Sequence, residues 1–174
     1  MSPRNEQGFT LIELLIVVAI ISIIAAIAVP GLLRARMTAQ EASAIASLKN
    51  TTVGQVSYSA SCGNGGYAAN FVILGTPLPG SVEGFISADL GYSVTPMKSG
   101  YNFTMGAGAS GAGPNDCQAR ATNAGYYVTA VPQTFGTTGS RSFAANAGST
   151  IWQSTTAAPP TEPFTASATV STIQ

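Results

Sequence analysis

The chain has 174 residues, of which 45% are hydrophobic, 8% are charged and none is histidine, and its formal net charge is +0. Without histidine, Ser-His-Asp and Cys-His catalysis and histidine-based zinc sites are excluded. With only 7 Lys and Arg residues, the chain also lacks the basic footprint of a nucleic-acid-binding protein, so no specific nucleic-acid partner is expected.

The first element is an apolar run. From Phe9 to Val29 only Thr10, Glu13 and Ser22 are polar, and a helix over residues 9–29 would be about 31 Å long, roughly one hydrocarbon core. The run is too long for the apolar stretch of a secretory signal. No small-residue cleavage site follows it in Pro30-Gly31-Leu32-Leu33-Arg34-Ala35-Arg36, so the span is expected to stay in the mature protein. Glu13 needs a reason there, because a carboxylate on a spanning helix costs roughly 2.5–3.5 kcal/mol near the bilayer centre. Arg34 and Arg36 follow the span and Arg4 precedes it, so charge counting does not set the orientation.

Pro30 removes an amide donor and clashes with the preceding turn, which predicts a kink or local opening at Val29-Pro30-Gly31. No further proline occurs before Tyr58, and Ala35, Ala39, Ala42, Ile45, Ala46, Val53 and Val56 recur at near-helical spacing. One helix kinked at Pro30 is therefore expected over residues 9–59. Its first part, residues 9–30, is apolar all round; residues 31–59 are amphipathic, with a narrow apolar stripe suited to packing against a sheet.

After residue 59 helix formers give way to Gly, Ser, Thr, Asn and aromatics. A loop over residues 62–89 leads to four strand-like runs, 101–105, 126–131, 141–144 and 149–152, which suggest an antiparallel sheet of about four strands. Tyr101, Phe103, Tyr126, Tyr127, Phe143 and Trp152 read as its core. The glycine-rich stretch 106–113 lacks the Lys-Ser/Thr pair and helix start of a phosphate loop and reads as a flexible hairpin connection. Residues 60–153 thus form a globular β domain, and residues 154–174 are a low-complexity tail expected to be extended and exposed. The acids Glu41, Glu83, Asp89, Asp116 and Glu162 show no paired spacing. No cofactor is expected beyond a weak Ca²⁺ site using Asp89 or Asp116 with loop carbonyls.

Gly8-Phe9-Thr10-Leu11-Ile12-Glu13, behind a short charged leader over residues 1–8, resembles the prepilin processing motif of type IV pilins, the type IVa class in particular, and of type II secretion pseudopilins. The resemblance implies an α+β pilin fold, a long kinked N-terminal helix packed on the small sheet. It implies that a prepilin peptidase and methyltransferase cuts between Gly8 and Phe9 and methylates the new Phe9 amine. Glu13 would offset that amine on an adjacent subunit, an attraction that is large in low dielectric, and Pro30 would mark where the helix loosens within a filament.

The implied partners are membrane lipid before assembly, an inner-membrane assembly platform and further copies of the chain in a helical homo-polymer. The implied life history runs from a single-pass inner-membrane precursor, globular part periplasmic, to an extracellular pilus serving adhesion, twitching motility or DNA uptake, with no enzymatic activity. Two cysteines in an exported domain favour a Cys62–Cys117 disulfide, whose loop closure is worth roughly 4 kcal/mol. The runner-up is a pseudopilin. Major pseudopilins end in an acidic calcium-binding loop, whereas residues 145–174 hold a single acid, Glu162. A monomeric membrane-anchored binding module is the third reading; it needs neither a cleavage site nor Glu13.

Overall fold

The computed structural model describes residues 9–173; the leader and Gly8 lie outside the described residues. The chain divides into two units, Met1–Arg36 and Met37–Gln174, and one helix, α1 (Leu11–Ser61), belongs to both. In the first unit the apolar side chains of α1 are exposed from Leu11 to Leu33. By length and composition this helix can cross a membrane. Ser22 satisfies its hydroxyl on the Val18 carbonyl at 2.7 Å, which removes the cost of an unpaired hydroxyl in an apolar segment. The helix continues through Pro30.

The second unit holds the rest of α1, two short helices α2 (Phe71–Gly75) and α3 (Ala88–Gly91), and a sheet of β1 (Met97–Lys98), β2 (Tyr101–Gly106), β3 (Tyr127–Pro132), β4 (Ser142–Asn146), β5 (Ile151–Ser154) and β6 (Val170–Thr172). The six strands lie in sequence order and every pairing is antiparallel. This is the α+β architecture that the sequence implies, with six strands in place of four. The additional β1 and β6 are two and three residues long, too short to show an alternating pattern of their own.

The sheet register explains the core. Phe103 lies opposite Ala130, Ala130 opposite Phe143, and Ala145 opposite Ile151, so these residues share one face by strand alternation. That face merges with Ala44, Leu48 and Tyr58 of α1 in one buried cluster. The aromatic rings supply the bulk: Phe71 meets Phe103 edge-on and Tyr101 stacks on Phe143.

Because the sheet brings its own bulk, α1 presents small and polar residues to it. The buried helix positions are Glu41, Ala44, Ser47, Leu48, Thr51, Thr52, Gly54, Gln55 and Tyr58. The expected stripe does not face the sheet: Ala35, Ala39, Ala42, Ala46, Val53 and Val56 are exposed and Ile45 is half-buried. Polar burial is tolerated where the group finds a partner. Thr51 and Thr52 donate to the Ser47 and Leu48 carbonyls, and the Gln55 amide pairs both ways with the Ala68 peptide, at 2.9 and 2.8 Å.

The tail is also corrected. Thr129, Ser142, Ala144 and Ser154 point to the other face of the sheet and are buried, because residues 155–168 cover them. Ser142 Oγ donates to the Thr156 and Ala157 carbonyls, the Tyr127 hydroxyl donates to the Pro160 carbonyl, and Phe164 stacks on Trp152. Glu162 accepts from Asn146 Nδ2 at 2.6 Å and the Ala109 amide at 2.8 Å. The segment then pairs with β5 as β6. Composition alone reads as disorder here; a few aromatic and carboxylate anchors are enough to order it. The glycine-rich 106–113 stretch opens a long β2–β3 connection pinned by Ala112–Asn123 and Tyr67–Asn123 bridges, so it is not a simple flexible hairpin.

Candidate functional site

Thr10-Leu11-Ile12-Glu13 begins α1 as a reciprocal capping box. The Thr10 amide donates to Glu13 Oε2 at 3.0 Å, and the Glu13 amide donates to Thr10 Oγ1 at 3.3 Å. The Thr10 hydroxyl adds a bond to the same Oε2 at 2.7 Å. Two amides that a helix start leaves without partners are thereby satisfied. Glu13 therefore has a role inside its own chain, and the Thr-x-x-Glu spacing was the sequence signal for it. All the bonds fall on Oε2; Oε1 accepts none among the described residues and faces no competitor for an added donor. Phe9, the residue expected to carry the new amine, precedes the cap and is 88% exposed.

A second feature of α1 is the exposed stripe. Ala39, Ala42, Ala46, Val53 and Val56 follow spacings of three, four and seven residues, which place them on one face of the helix, opposite Ala44, Thr51 and Gln55. Among the described residues nothing covers them. Small side chains on such a face let another helix approach closely, the packing mode of helices that associate in or near lipid.

Behind the stripe, three ties hold α1 to the sheet unit. Glu41 Oε1 accepts from the Ser140 amide and hydroxyl at 2.7 and 2.8 Å. Its Oε2 accepts from Arg141 Nε and Nη2 at 2.9 and 2.6 Å. Burial works to raise the Glu41 pKa, but the Ser140 and Arg141 donors outweigh it and hold the acid below its ordinary value.

The second tie is a disulfide joining Cys62, just past α1, to Cys117 in the β2–β3 connection. The third tie stands beside it. The buried Asp116 accepts from the Tyr58 hydroxyl at 2.7 Å, from the amides of Gln118 and Arg120 at 2.8 Å each, and from Arg120 Nε at 2.7 Å. Burial pushes this acid up, yet the four donors bring it down to about 2. The Tyr58 hydroxyl is pushed up to about 12, by burial first and by the Asp116 charge second.

The structure separates the two acids considered for calcium. Asp89 pairs with Lys98 at 2.7 Å, and Asp116 is surrounded by its own donors. Among the described residues no three His, Cys, Asp or Glu side chains gather as a metal would require. Sequence reasoning missed Glu41 and Asp116 as organising groups, because their partners Arg141, Ser140 and Tyr58 are distant in the chain.

Residues 3–29 match the family model described as the prokaryotic N-terminal methylation motif. The chain is 46% identical over 67 residues to the type IV wide pilus major component PilA4 of Thermus thermophilus, a match covering 38% of this chain and 50% of that protein. It is 47% identical over 57 residues to the type IV major pilin protein PilA of Myxococcus xanthus, covering 33% of this chain and 26% of that one. The chain thus spans half or less of the length of these curated relatives. No solved structure matches it.

Proposed function

We propose that the chain is a structural subunit of a type IV pilus. The observation that carries this reading is the methylation motif at residues 3–29 leading directly into a capped helix whose large apolar side chains are exposed from Leu11 to Leu33. In this reading residues 9–29 hold the precursor in the inner membrane with the globular unit outside the cytoplasm. A prepilin peptidase cuts after Gly8 and methylates Phe9, and the helices leave lipid to pack against one another in an open helical polymer. Glu13 keeps Oε2 on Thr10 and offers Oε1 to the Phe9 amine of a neighbouring copy. Pro30 leaves the Ala26 carbonyl without its helical donor, a point at which the helix can loosen within the filament.

The names of both relatives, a wide pilus major component and a major pilin, favour a pilus over a secretion pseudopilus and a structural role over a catalytic one. Adhesion, twitching and DNA uptake are the tasks such a filament would serve. The test is mass spectrometry of filaments sheared from cells and imaged by electron microscopy. The expected result is this chain, beginning at N-methylated Phe9, as a component of long extracellular fibres. Recovery only of uncut chain in the membrane fraction would overturn the reading.

A further inference from the structure

The two ends of the disulfide are unlike. Cys62 is 1% exposed and belongs to the buried cluster with Tyr58 and Tyr126, whereas Cys117, in the β2–β3 connection, is exposed. In thiol–disulfide exchange the attacking sulfur must reach the attacked one, so access selects which cysteine reacts with a partner from outside. In the folded unit that cysteine is Cys117.

The connection is also held against the end of α1 by bonds other than the covalent one. The Cys117 amide donates to the Cys62 carbonyl at 2.7 Å. The Tyr58 hydroxyl donates to Asp116 at 2.7 Å, and Asn64 Nδ2 donates to the Asn115 carbonyl at 2.8 Å. Further along, Tyr67 and Asn123 each donate an amide to the other's carbonyl, at 2.8 and 3.0 Å. These hydrogen bonds join residues 58–67 to residues 115–123, the same two stretches that the disulfide joins across a sequence separation of 55. They present Cys117 to Cys62 whether or not the sulfurs are joined.

We propose that the globular unit folds first and is oxidised second, through Cys117, by an external disulfide of the dithiol-oxidant class. The Cys117 thiolate attacks one sulfur of that disulfide. The oxidant's S–S bond breaks, a mixed disulfide to Cys117 forms, and the first oxidant thiolate leaves and takes up a proton in place of the one Cys117 lost. The Cys62 thiolate then attacks Cys117 Sγ from the inner side. The mixed disulfide breaks, the Cys62–Cys117 bond closes, and the second oxidant thiolate leaves and is protonated in turn. The chain loses two electrons and the oxidant gains them. Chain order alone predicts the opposite entry, because Cys62 precedes Cys117 and would emerge first during export; burial of Cys62 closes that route once the unit has folded. The proposal rests on the pilus reading only in placing the globular unit outside the cytoplasm, where such an oxidant operates. It makes the disulfide a lock on a finished fold rather than a condition for folding.

The test uses the full chain solubilised in detergent, as reduced wild type, Cys62→Ser and Cys117→Ser, with glutathione disulfide as the oxidant and mass spectrometry of acid-quenched samples. Each single variant holds one thiol. Cys117 in the Cys62→Ser chain should take up glutathione at least about tenfold faster than Cys62 in the Cys117→Ser chain, because only the first is reachable in the folded unit. In denaturant the two rates should agree to within about threefold, since the difference in access is gone. In reduced wild type the transient adduct should map to Cys117, and both variants should keep a cooperative thermal melt. Equal rates without denaturant, or a faster Cys62, would overturn the proposal. So would loss of the cooperative melt in both variants, because the hydrogen bonds would then not hold the connection by themselves. In chain recovered from exporting cells the disulfide should be closed. Finding both cysteines reduced there would overturn the placement of the globular unit outside the cytoplasm and leave the order of the sulfurs to the glutathione rates, which separates the two failures.

Discussion

Asp116 illustrates how one carboxylate can secure a connection that has little regular structure. Its four donors come from α1 and from its own turn, and removing the carboxylate would leave the Tyr58 hydroxyl and the Arg120 guanidinium without their partner. The Asp116 pKa is depressed from 3.8 to about 2, so its contribution to stability is complete above the unfolded value and is lost as pH falls through the folded one. Glu41, also depressed, adds to the same acid limb. Tyr58 is raised from 10.0 to about 12, so its contribution is complete below the unfolded value and is lost as pH rises toward the folded one. Thermal melts of the detergent-solubilised chain should therefore be flat from about pH 5 to pH 9 and fall on both sides. Asp116→Asn should lose on the order of 3 kcal/mol at neutral pH and show a shallower acid limb. Identical acid limbs in the two proteins would count against this account of the site.

Among the elements, the sheet depends on the covering of its second face. Tyr127 and Trp152 are half-buried only because Phe164 lies over both, at 6.1 and 5.5 Å between ring centres. Trp152 is the chain's sole tryptophan, so its fluorescence reports on this contact directly. Phe164→Ala should lower stability by about 2 kcal/mol, less than a fully buried ring because Phe164 is partly exposed. It should also shift the Trp152 emission to the red. An unchanged emission maximum would mean that the C-terminal segment does not cover the sheet in solution. The same element-level logic places Gly54 on α1, where an added Cβ would meet the Phe85 carbonyl at 2.8 Å. The connection after α2 crosses the helix at that point with no room for a side chain.

For the whole molecule, the decisive feature is that α1 is used on two sides. One side is consumed by the sheet and the other is bare, so substitutions on the two sides should separate folding from assembly. Ala42→Asp, on the bare side, should leave the melting of the solubilised chain within about 0.5 kcal/mol of wild type while removing sheared filaments. Ala44→Asp, two residues along and buried against the sheet, should prevent accumulation of folded chain because it buries an unpaired charge. If both variants assembled, or both failed to fold, the division of the helix into two faces would be wrong. A formal net charge of +0 would suit the proposed polymer, since neighbouring copies would not repel one another.

Much of this was legible in the residues alone. The apolar run with Glu13, the switch to strand-forming composition after residue 59 and the four principal strands follow from local pattern, because spanning length, helix periodicity and strand alternation are properties of neighbouring residues. The C-terminal cover was hidden in low complexity: Glu162 and Phe164 are single anchors whose partners, Asn146, Ala109 and Trp152, lie elsewhere in the chain. The helix face was read the wrong way round for the same reason. Periodicity locates an apolar stripe but does not say what it touches, and the aromatic sheet, by filling the core itself, reserved the polar side of α1 for the interior. The sequence by itself determined that a long apolar helix precedes a β domain. Only the tertiary structure decided which side of that helix is left bare, because that choice is made by the volume of rings packed from distant residues, Tyr101, Phe103 and Phe143 of the sheet among them.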